Sequence, residues 1–394
     1  MIFRFSFAAT MNSQFLSNKF RLGVLGGGQL GRMLIQEAIN LNISISVMDP
    51  DANAPCRYLV DSFTHADFRD KEAVLAFAKN LDVLTVEIEH VNTEALVELQ
   101  ASGVKVFPQP EVLAMVQDKG LQKEFYKSHN IPTAPFVLNE NRETLLSKSL
   151  KYPFILKMRK GGYDGKGVMK INSVDELNEA FDGPSVIEEL IDFKQEIGVL
   201  VARNEKGEIS NFPAVDMEFN PQVNLVEFLC SPARISTELE LEAIRIAKDV
   251  IAATNMVGLL AVEMFVTKDN KILVNEIAPR PHNSGHQTIE GNITSQYAQH
   301  LRAILNLPLG DTSIVKPSVM INLLGEEGYS GDASYIGIEE VLTMKGVYIH
   351  LYGKKNTKPF RKMGHVTVTA DKLEDAIVIA RKVQSIVKII STNN

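Results

Sequence analysis

Apolar and polar positions change period several times along the chain, and each change marks a different element. Arg21-Leu-Gly-Val-Leu-Gly26 is a short apolar run closed by glycine, the pattern of a buried strand, and Gly31-Arg-Met-Leu-Ile-Gln-Glu-Ala-Ile-Asn40 follows at helical spacing. Residues 43–48 read as a strand, 71–80 as a helix, 83–88 as a strand, and 93–101 as a helix that Asn92 can cap and Gly103 stops. Strands alternating with helices predict a parallel, doubly wound sheet, ending near Phe107 where Pro108 and Pro110 interrupt the pattern. Residues 111–129 read as one long helix closed by Asn130-Ile-Pro132, after which hairpins and helices alternate to about Phe265 in an α+β arrangement. Helix 237–255 is strongly amphipathic, with Leu241, Ile244, Ala247, Val250 and Ile251 on one face. Past Pro308 come short β-like runs at 318–324, 347–352 and 365–369, then a final amphipathic helix over 373–387.

Four units are expected: 1–20, 21–108, 109–308 and 309–394. The first has Arg4, several Phe and no acidic residue, and Met11 follows closely, so it reads as a disordered leader or an alternative start. The 394 residues are 45% hydrophobic and 23% charged, the balance of a folded chain long enough for two or three domains. Lys and Arg number 41 against 48 Asp and Glu, a net charge of −7, so neither nucleic acid nor an anionic membrane is an expected partner. An anionic ligand therefore needs a local site. No uncharged apolar run approaches the roughly 20 residues of a membrane span. Cys56 and Cys230 make neither a disulfide framework nor a metal cluster. A cytoplasmic location is the simplest expectation.

Gly26-Gly-Gly28-Gln-Leu-Gly31 fits the dinucleotide fingerprint, and Asp49 closes the next strand where a ribose-binding acid would stand. The same glycines also serve a tight strand-to-helix turn, so the loop alone leaves an NAD site and a plain turn equally open. A second glycine loop, Lys160-Gly-Gly-Tyr-Asp-Gly-Lys-Gly167, lies between two strand-like runs and is therefore a hairpin tip, able to wrap N–H groups and lysines around a polyphosphate. Lys157 ends the preceding strand and Lys119 sits in helix 111–129, giving two more candidate phosphate cations. In a hairpin centred between Asp269 and Asn270, Glu263 and Glu276 stand directly opposite. Like charges placed so repel, whereas magnesium held by one or two carboxylates and substrate phosphates removes the conflict. Apolar Val262, Phe265, Leu273 and Ile277 argue against a merely solvated pair. Directly beyond lies Ala278-Pro-Arg-Pro-His-Asn-Ser-Gly-His286, a stiff loop carrying Arg280, His282 and Asn283, in which His286 reads as a structural donor. Tyr352-Gly-Lys354 and Arg361-Lys362-Met-Gly-His365 add a basic cluster suited to a phosphate.

Gly26-Gly-Gly-Gln-Leu-Gly-Arg-Met-Leu34, Glu87-Ile-Glu-His-Val91, Gly162-Tyr-Asp-Gly-Lys-Gly167, Asn275-Glu-Ile-Ala-Pro-Arg-Pro-His-Asn-Ser-Gly-His286 and Arg361-Lys-Met-Gly-His365 together resemble the 5-(carboxyamino)imidazole ribonucleotide synthases, a family of the ATP-grasp superfamily. The resemblance runs in order from about Arg21 to the last helix. It implies an α/β and α+β fold: an N-terminal doubly wound parallel-sheet domain that uses no NAD, a central two-lobed nucleotide-binding region and a small β-rich C-terminal domain.

The activity it implies is that of an ATP-dependent carbon–nitrogen ligase of purine biosynthesis, a homodimer that carboxylates 5-aminoimidazole ribonucleotide with ATP and bicarbonate through carboxyphosphate. Lys119, Lys157, Gly162, Tyr163, Asp164, Gly165, Lys166, Gly167 and Val168 would hold the ATP phosphates. Glu188, Glu189, Leu190 and Ile191 would line the adenine, Glu196 would take the ribose hydroxyls, and Asn275 and Glu276 would complete the nucleotide site. Glu263 and Glu276 would bind Mg2+. Gly28, Gln29, Leu30 and Glu87 would meet the aminoimidazole ribonucleotide, with Asn283, Lys354, Arg361 and Lys362 around its phosphate. Asp164, Lys166, Arg280 and His282 would surround the reacting bicarbonate and amine. Where the family often has Asn-x-His near the nucleotide, this chain has Met217-Glu-Phe219.

Two rivals stay open on the residues. The formate-dependent glycinamide ribonucleotide transformylases share the Glu-then-Arg-Pro-His pattern, but their Gly-Glu-Leu-Gly and Arg-Arg-Leu-Gly are here Gly28-Gln-Leu-Gly31 and Arg361-Lys-Met-Gly364. An NAD-dependent oxidoreductase would use the first glycine loop and Asp49 and leave the second loop and the paired carboxylates idle.

Overall fold

The computed structural model describes residues 17, 19–162, 167–220 and 225–392, so the expected leader, apart from three of its residues, lies outside the described residues. The alternating N-terminal pattern becomes β1 (Leu22–Leu25), α1 (Gln29–Asn40), β2 (Ile45–Asp49), β3 (Ser62–His65), α2 (Lys71–Ala78), β4 (Val83–Val86), α3 (Thr93–Ala101) and β5 (Lys105–Val106). The strands form one parallel sheet in the order β3-β2-β1-β4-β5. Its central strand is apolar at every position because both faces are covered: Val24 packs among Met33 and Leu34 of α1, and Leu25 among Val74 of α2 and Leu96 of α3. Asn92 caps α3 by accepting the Ala95 N–H. β3 and β5 are edge strands, too short and too polar to stand out in the sequence.

The single helix expected over 111–129 is two, α4 (Pro110–Val116) and α5 (Lys119–Ser128). Asp118 breaks the run: its carboxylate accepts the N–H groups of Gly120 and Leu121 as an N-cap and binds Arg159 at 2.8 and 2.9 Å. The break places Lys119 in the first turn of α5, where it can leave the helix axis.

A small antiparallel sheet follows, with β6 (Phe136–Asn139), α6 (Arg142–Leu146), β7 (Phe154–Met158), β8 (Val168–Ile171) and β9 (Ser185–Glu189), in the order β6-β9-β7-β8. The segment after β9 crosses to a nine-stranded sheet. Its first members are β10 (Phe193–Arg203), β11 (Ile209–Asn211), β12 (Val215–Asn220), β13 (Leu225–Ser231), β14 (Gly258–Thr267) and β15 (Ile272–Ala278), with α7 (Thr237–Ala253) before β14. The helices α8 (Thr288–Gly291) and α9 (Gln296–Ile304) lead to β16 (Ser318–Leu324), β17 (Gly331–Ile336), α10 (Ile338–Leu342), β18 (Val347–Leu351), β19 (Asn356–Thr357), β20 (Lys362–Thr369), α11 (Leu373–Ile386) and β21 (Lys388–Ser391). The large sheet runs β15-β14-β10-β12-β13-β16-β20-β18 with β11 on β10, so the pairing of Cys230 with Val319 carries it unbroken into the C-terminal part. α7 buries Ala243, Ile246, Ala247, Val250 and Ile251, but Leu241, expected on that face, is 63% exposed, because the helical repeat carries it about 120° round from Ala247. No helix among the described residues is long and apolar enough to cross a membrane.

His300 of α9 fastens the parallel sheet to the large one. Its Nδ1 accepts the Leu259 N–H at 3.1 Å, so Nε2 carries the proton toward Thr85 Oγ1 at 2.9 Å. Burial pushes its pKa down from 6.5 to about 3. The unfolded chain therefore binds a proton that the folded one refuses, and stability is lost as pH falls from about 6.5 toward 3, by up to about 1.4 kcal/mol per pH unit. In urea unfolding at pH 7 and pH 5, His300→Gln should show a shallower acid loss than the parent chain; equal losses would remove His300 from the acid response.

Candidate active site

The β14–β15 hairpin sets Glu263 opposite Glu276, by a route the simple turn count does not contain. From Val266↔Ile272 to Met264↔Val274 the strands pair one residue out of that register. A bulge at Asn275 then restores it, so that Glu263↔Glu276 and Val262↔Ile277 stand opposite. A bulge turns two successive side chains toward one side of the sheet. Asn275 Oδ1 accepts from Lys157 Nζ at 2.9 Å, and Glu276 Oε2 lies 2.7 Å from Lys119 Nζ.

Three ammonium groups and four carboxylates converge here. Glu188 of β9, 4% exposed, bridges Lys123 and Lys157 at 3.1 and 3.0 Å. Lys119 holds the Glu276 carboxyl below the usual range, while burial, with Glu276 and Glu196 beside it, raises Glu263. Burial also pushes Glu196 of β10 up to about 7, against the pull of Lys157. Four carboxylates against three ammonium groups leave the site short of positive charge. That fits a hard divalent cation held by Glu263 and Glu276 with anionic phosphates completing its shell.

The loop after β15 joins this cluster to the parallel sheet. Arg280 lies 2.7 Å from Glu89, just beyond β4. His282 Nδ1 accepts the Ser284 N–H at 3.3 Å, which leaves the proton on Nε2, 3.4 Å from Glu263 Oε1. Burial, Arg280 and Lys362 push the His282 pKa down to about 3, so the imidazole is neutral. Neither side-chain polar atom of the buried Asn283 amide has a partner. His286 is buried in structural contacts, but as an acceptor where a donor was expected: its Nδ1 takes the Gln296 amide N–H at 3.2 Å and lies 3.0 Å from the Tyr297 hydroxyl.

At the first glycine loop the N–H groups are already taken. Gly28 and Gly31 donate to Glu87 at 2.8 and 2.9 Å, and Gly27 donates to Asp49 at 2.6 Å. Gly26 has φ of +99°, and a Cβ on Gly28 would stand 2.6 Å from the Glu87 carboxylate, so the glycines make room for an internal acid. A dinucleotide pyrophosphate would have to displace both carboxylates, and Asp49, also bonded to Asp51 N–H, is not free for a ribose. The turn reading of this loop prevails.

The basic return comes from β20 and the segment before it. Lys354 Nζ donates to the Lys362 carbonyl at 2.7 Å and lies 5.6 Å from the Tyr352 ring centre. Arg361 donates to the Asn356 carbonyl at 2.7 Å. Lys362 is near enough for its charge to act on both Glu263 and His282. Behind them the rings of His286, His365 and His350 stack at centroid distances of 4.6 and 4.4 Å, tying β18 and β20 to the Arg280 loop.

The structure thus brings Lys119, Lys157, Glu188, Asn275, Glu276, Glu263 and His282 into one cluster, with Glu196 in electrostatic reach, and joins Arg280 to the loop of Glu87 through Glu89. Gln29 opens α1, and Leu30 is buried behind it. Glu189, the last residue of β9, and Leu190, in the segment between the two sheets, are exposed, with Ile191 half-buried. Gly162 and Val168 flank a β7–β8 hairpin as expected; Tyr163, Asp164, Gly165 and Lys166 lie outside the described residues, and Gly167 has φ of +74°. Met217, of the departing motif, is buried and pairs with Glu196 across the sheet. Sequence reasoning missed Lys123 and Glu89. Lys123 is four residues after Lys119 on one helix face, a like-charged spacing that is unfavourable unless a carboxylate faces it, and Glu89 lies inside the quoted Glu87–Val91 motif.

Three family models match the chain: a ribonucleotide synthetase preATP-grasp domain over residues 20–117, an ATP-grasp domain over 124–297 and a phosphoribosylaminoimidazole carboxylase C-terminal domain over 318–378. An N5-carboxyaminoimidazole ribonucleotide synthase from Bacillus subtilis is 35% identical over 91% of this chain and 93% of its own. A phosphoribosylaminoimidazole carboxylase from Candida glabrata is 38% identical over 90% of this chain, which spans only 64% of that protein's length. The solved N5-carboxyaminoimidazole ribonucleotide synthetase from Thermotoga maritima superposes with a TM-score of 0.87 at 42% identity, covering 94% of this chain and 99% of that one. An Aspergillus clavatus N5-carboxyaminoimidazole synthase, solved in complex with ADP and 5-aminoimidazole ribonucleotide, gives 0.83 at 36% identity over 93% and 98%.

Proposed function

The chain belongs to the N5-carboxyaminoimidazole ribonucleotide synthase family of ATP-grasp proteins, and from that premise we propose that it carboxylates 5-aminoimidazole ribonucleotide using ATP and bicarbonate. The observation that carries the reading is the loop 279–286. Its Arg280 reaches Glu89 of the parallel-sheet unit while its His282 stands 3.4 Å from Glu263, so one rigid segment spans the phosphate cluster and the first glycine loop. Two ligands held on either side of it can react.

In this mechanism Lys119 and Lys157 neutralise the ATP phosphates, the β7–β8 hairpin covers them, Glu189 to Ile191 receive the adenine and Glu196 the ribose hydroxyls. Because the Glu188 carboxylate faces two lysines, its part toward adenine falls to the backbone. Glu263 and Glu276 would hold magnesium, which supplies charge neutralisation at the transferring phosphoryl group. Bicarbonate oxygen takes the γ-phosphoryl group, releasing ADP. The resulting carboxyphosphate breaks to carbon dioxide and phosphate beside the ribonucleotide's exocyclic amine, which forms the N–C bond and loses a proton. Arg280 orients the anions, and neutral His282 offers its Nε2–H. Lys166 and Asp164 belong to the same reading. Asn283, Lys354, Arg361 and Lys362 face the ribonucleotide phosphate, and Gly28, Gln29, Leu30 and Glu87 its base.

ADP release should require magnesium, 5-aminoimidazole ribonucleotide and bicarbonate together. Stimulation by formate and glycinamide ribonucleotide instead would move the chain to the transformylase reaction. A cytoplasmic homodimer completes the proposal. Ile336, Leu342, Tyr348 and Leu351 expose apolar surface around α10 and β18, and sedimentation equilibrium at twice the chain mass would support their burial against a second copy.

A further inference from the structure

Lys123 has no part in the roles assigned so far, yet it is one of the most deeply buried charges in the protein, with a side chain 3% exposed. It belongs to a closed ring of contacts. Lys123 Nζ donates to Thr133 Oγ1 at 2.6 Å, and that hydroxyl donates to the Val274 carbonyl at 2.7 Å. The next residue, Asn275, accepts from Lys157, and Glu188 closes the ring between Lys157 and Lys123 at 3.0 and 3.1 Å. The two lysines thus share one carboxylate. Paired with Lys157 alone, Glu188 would cancel the charge that a polyphosphate has to meet, and would hold that ammonium back from it. With Lys123 on the carboxylate's other oxygen, the trio keeps one net positive charge on the phosphate side.

We propose that Lys123 is a positioning residue for ATP, neutralising Glu188 from behind so that the Lys157 ammonium stays available to the nucleotide phosphates. The inference rests on the reading that Lys157 meets those phosphates. Burial pulls the Lys123 pKa down to about 8 while Glu188 holds it up, so the ammonium form prevails at neutral pH. The side chain cannot reach the nucleotide side itself, since Thr133 and Glu188 hold its Nζ in the interior.

A merely structural lysine and a charge-compensating one differ in what happens when Glu188 is removed as well. Calorimetric titration of the full chain with ATP and magnesium should show Lys123→Met weakening Kd by about 10- to 100-fold, the size of a lost charged hydrogen bond, with Kd for 5-aminoimidazole ribonucleotide unchanged. The double variant Lys123→Met/Glu188→Gln should recover Kd for ATP to within about threefold of the parent, because Lys157 regains its uncompensated charge. Lys123→Gln keeps a donor for Thr133 and Glu188 without the charge, carries the same expectation, and is the form to read if the methionine variant does not fold. An unchanged ATP Kd in the single variants, or a double variant no better than the single, would overturn the role of Lys123. Failure of the parent chain to bind ATP at all would instead overturn the nucleotide reading on which it rests.

Discussion

Glu276→Gln should lower kcat at least about 100-fold while leaving the fold intact, the loss seen when one charge-stabilising group is removed from phosphoryl or acyl transfer. The substitution keeps the shape and one carbonyl oxygen but removes the charge that Lys119, at 2.7 Å, now holds below the usual carboxylate range. It therefore takes away a proposed magnesium ligand and the partner of a proposed phosphate lysine together. Glu263→Gln should cost a comparable factor in kcat, but with the opposite sign in the stability of the ligand-free chain. Burial and the facing Glu276 push Glu263 upward, and like charges directly opposite on paired strands are destabilising by a few tenths to about 1 kcal/mol. Removing one charge relieves that conflict. Thermal unfolding of the ligand-free Glu263→Gln chain should move up or stay level as turnover collapses. Full turnover in either variant would remove the pair from magnesium binding, and a large fall in melting temperature would mean that the carboxylates are structural.

That trade follows from how the pair is built. The pair is held by a hairpin whose other face is anchored in the core through Val262 and Ile277, with Lys119 compensating Glu276 alone, and the bulge at Asn275 aims both Asn275 and Glu276 at the lysines. The facing of Glu263 and Glu276 is legible in the sequence because side chains alternate along both strands. The bulge is not, because its extra residue and the shifted turn cancel in the count. The break at Asp118 was hidden for a different reason: the residue sits at a helical spacing, and its carboxylate is turned to the Gly120 and Leu121 N–H groups while also held by Arg159, forty-one positions away. Leu241 was not hidden by periodicity: at about 100° per residue it stands about 120° round the helix from Ala247, away from the buried face, which accounts for its exposure. Lys123, Glu89 and the stacked histidines depend on tertiary partners that no local pattern names. What the sequence displays well is therefore backbone alternation and motif order; which buried charge compensates which is decided by contacts between distant segments.

The phosphate of the second substrate supplies the other large effect. Asn283→Ala should raise KM for 5-aminoimidazole ribonucleotide by about 10- to 100-fold, with KM for ATP unchanged, if its amide donates a charged hydrogen bond worth roughly 1.5–3 kcal/mol. The amide is buried with both polar atoms unpartnered, so in the ligand-free chain it carries a desolvation cost and no compensating bond. Its removal should leave thermal stability level or slightly higher, which a structural asparagine would not do. Arg361→Ala tests a second proposed contact to that phosphate. Its guanidinium already donates to the Asn356 carbonyl, which fixes its orientation, and the remaining N–H groups fit a bidentate anion contact. The same rise in ribonucleotide KM is expected, whereas a solvated surface arginine would give stability changes within about 0.5 kcal/mol and no kinetic effect. Steady-state kinetics with each substrate varied separately decide the point: equal KM changes for both substrates would mean a distorted loop, and no change for either would remove Asn283 and Arg361 from the ribonucleotide site.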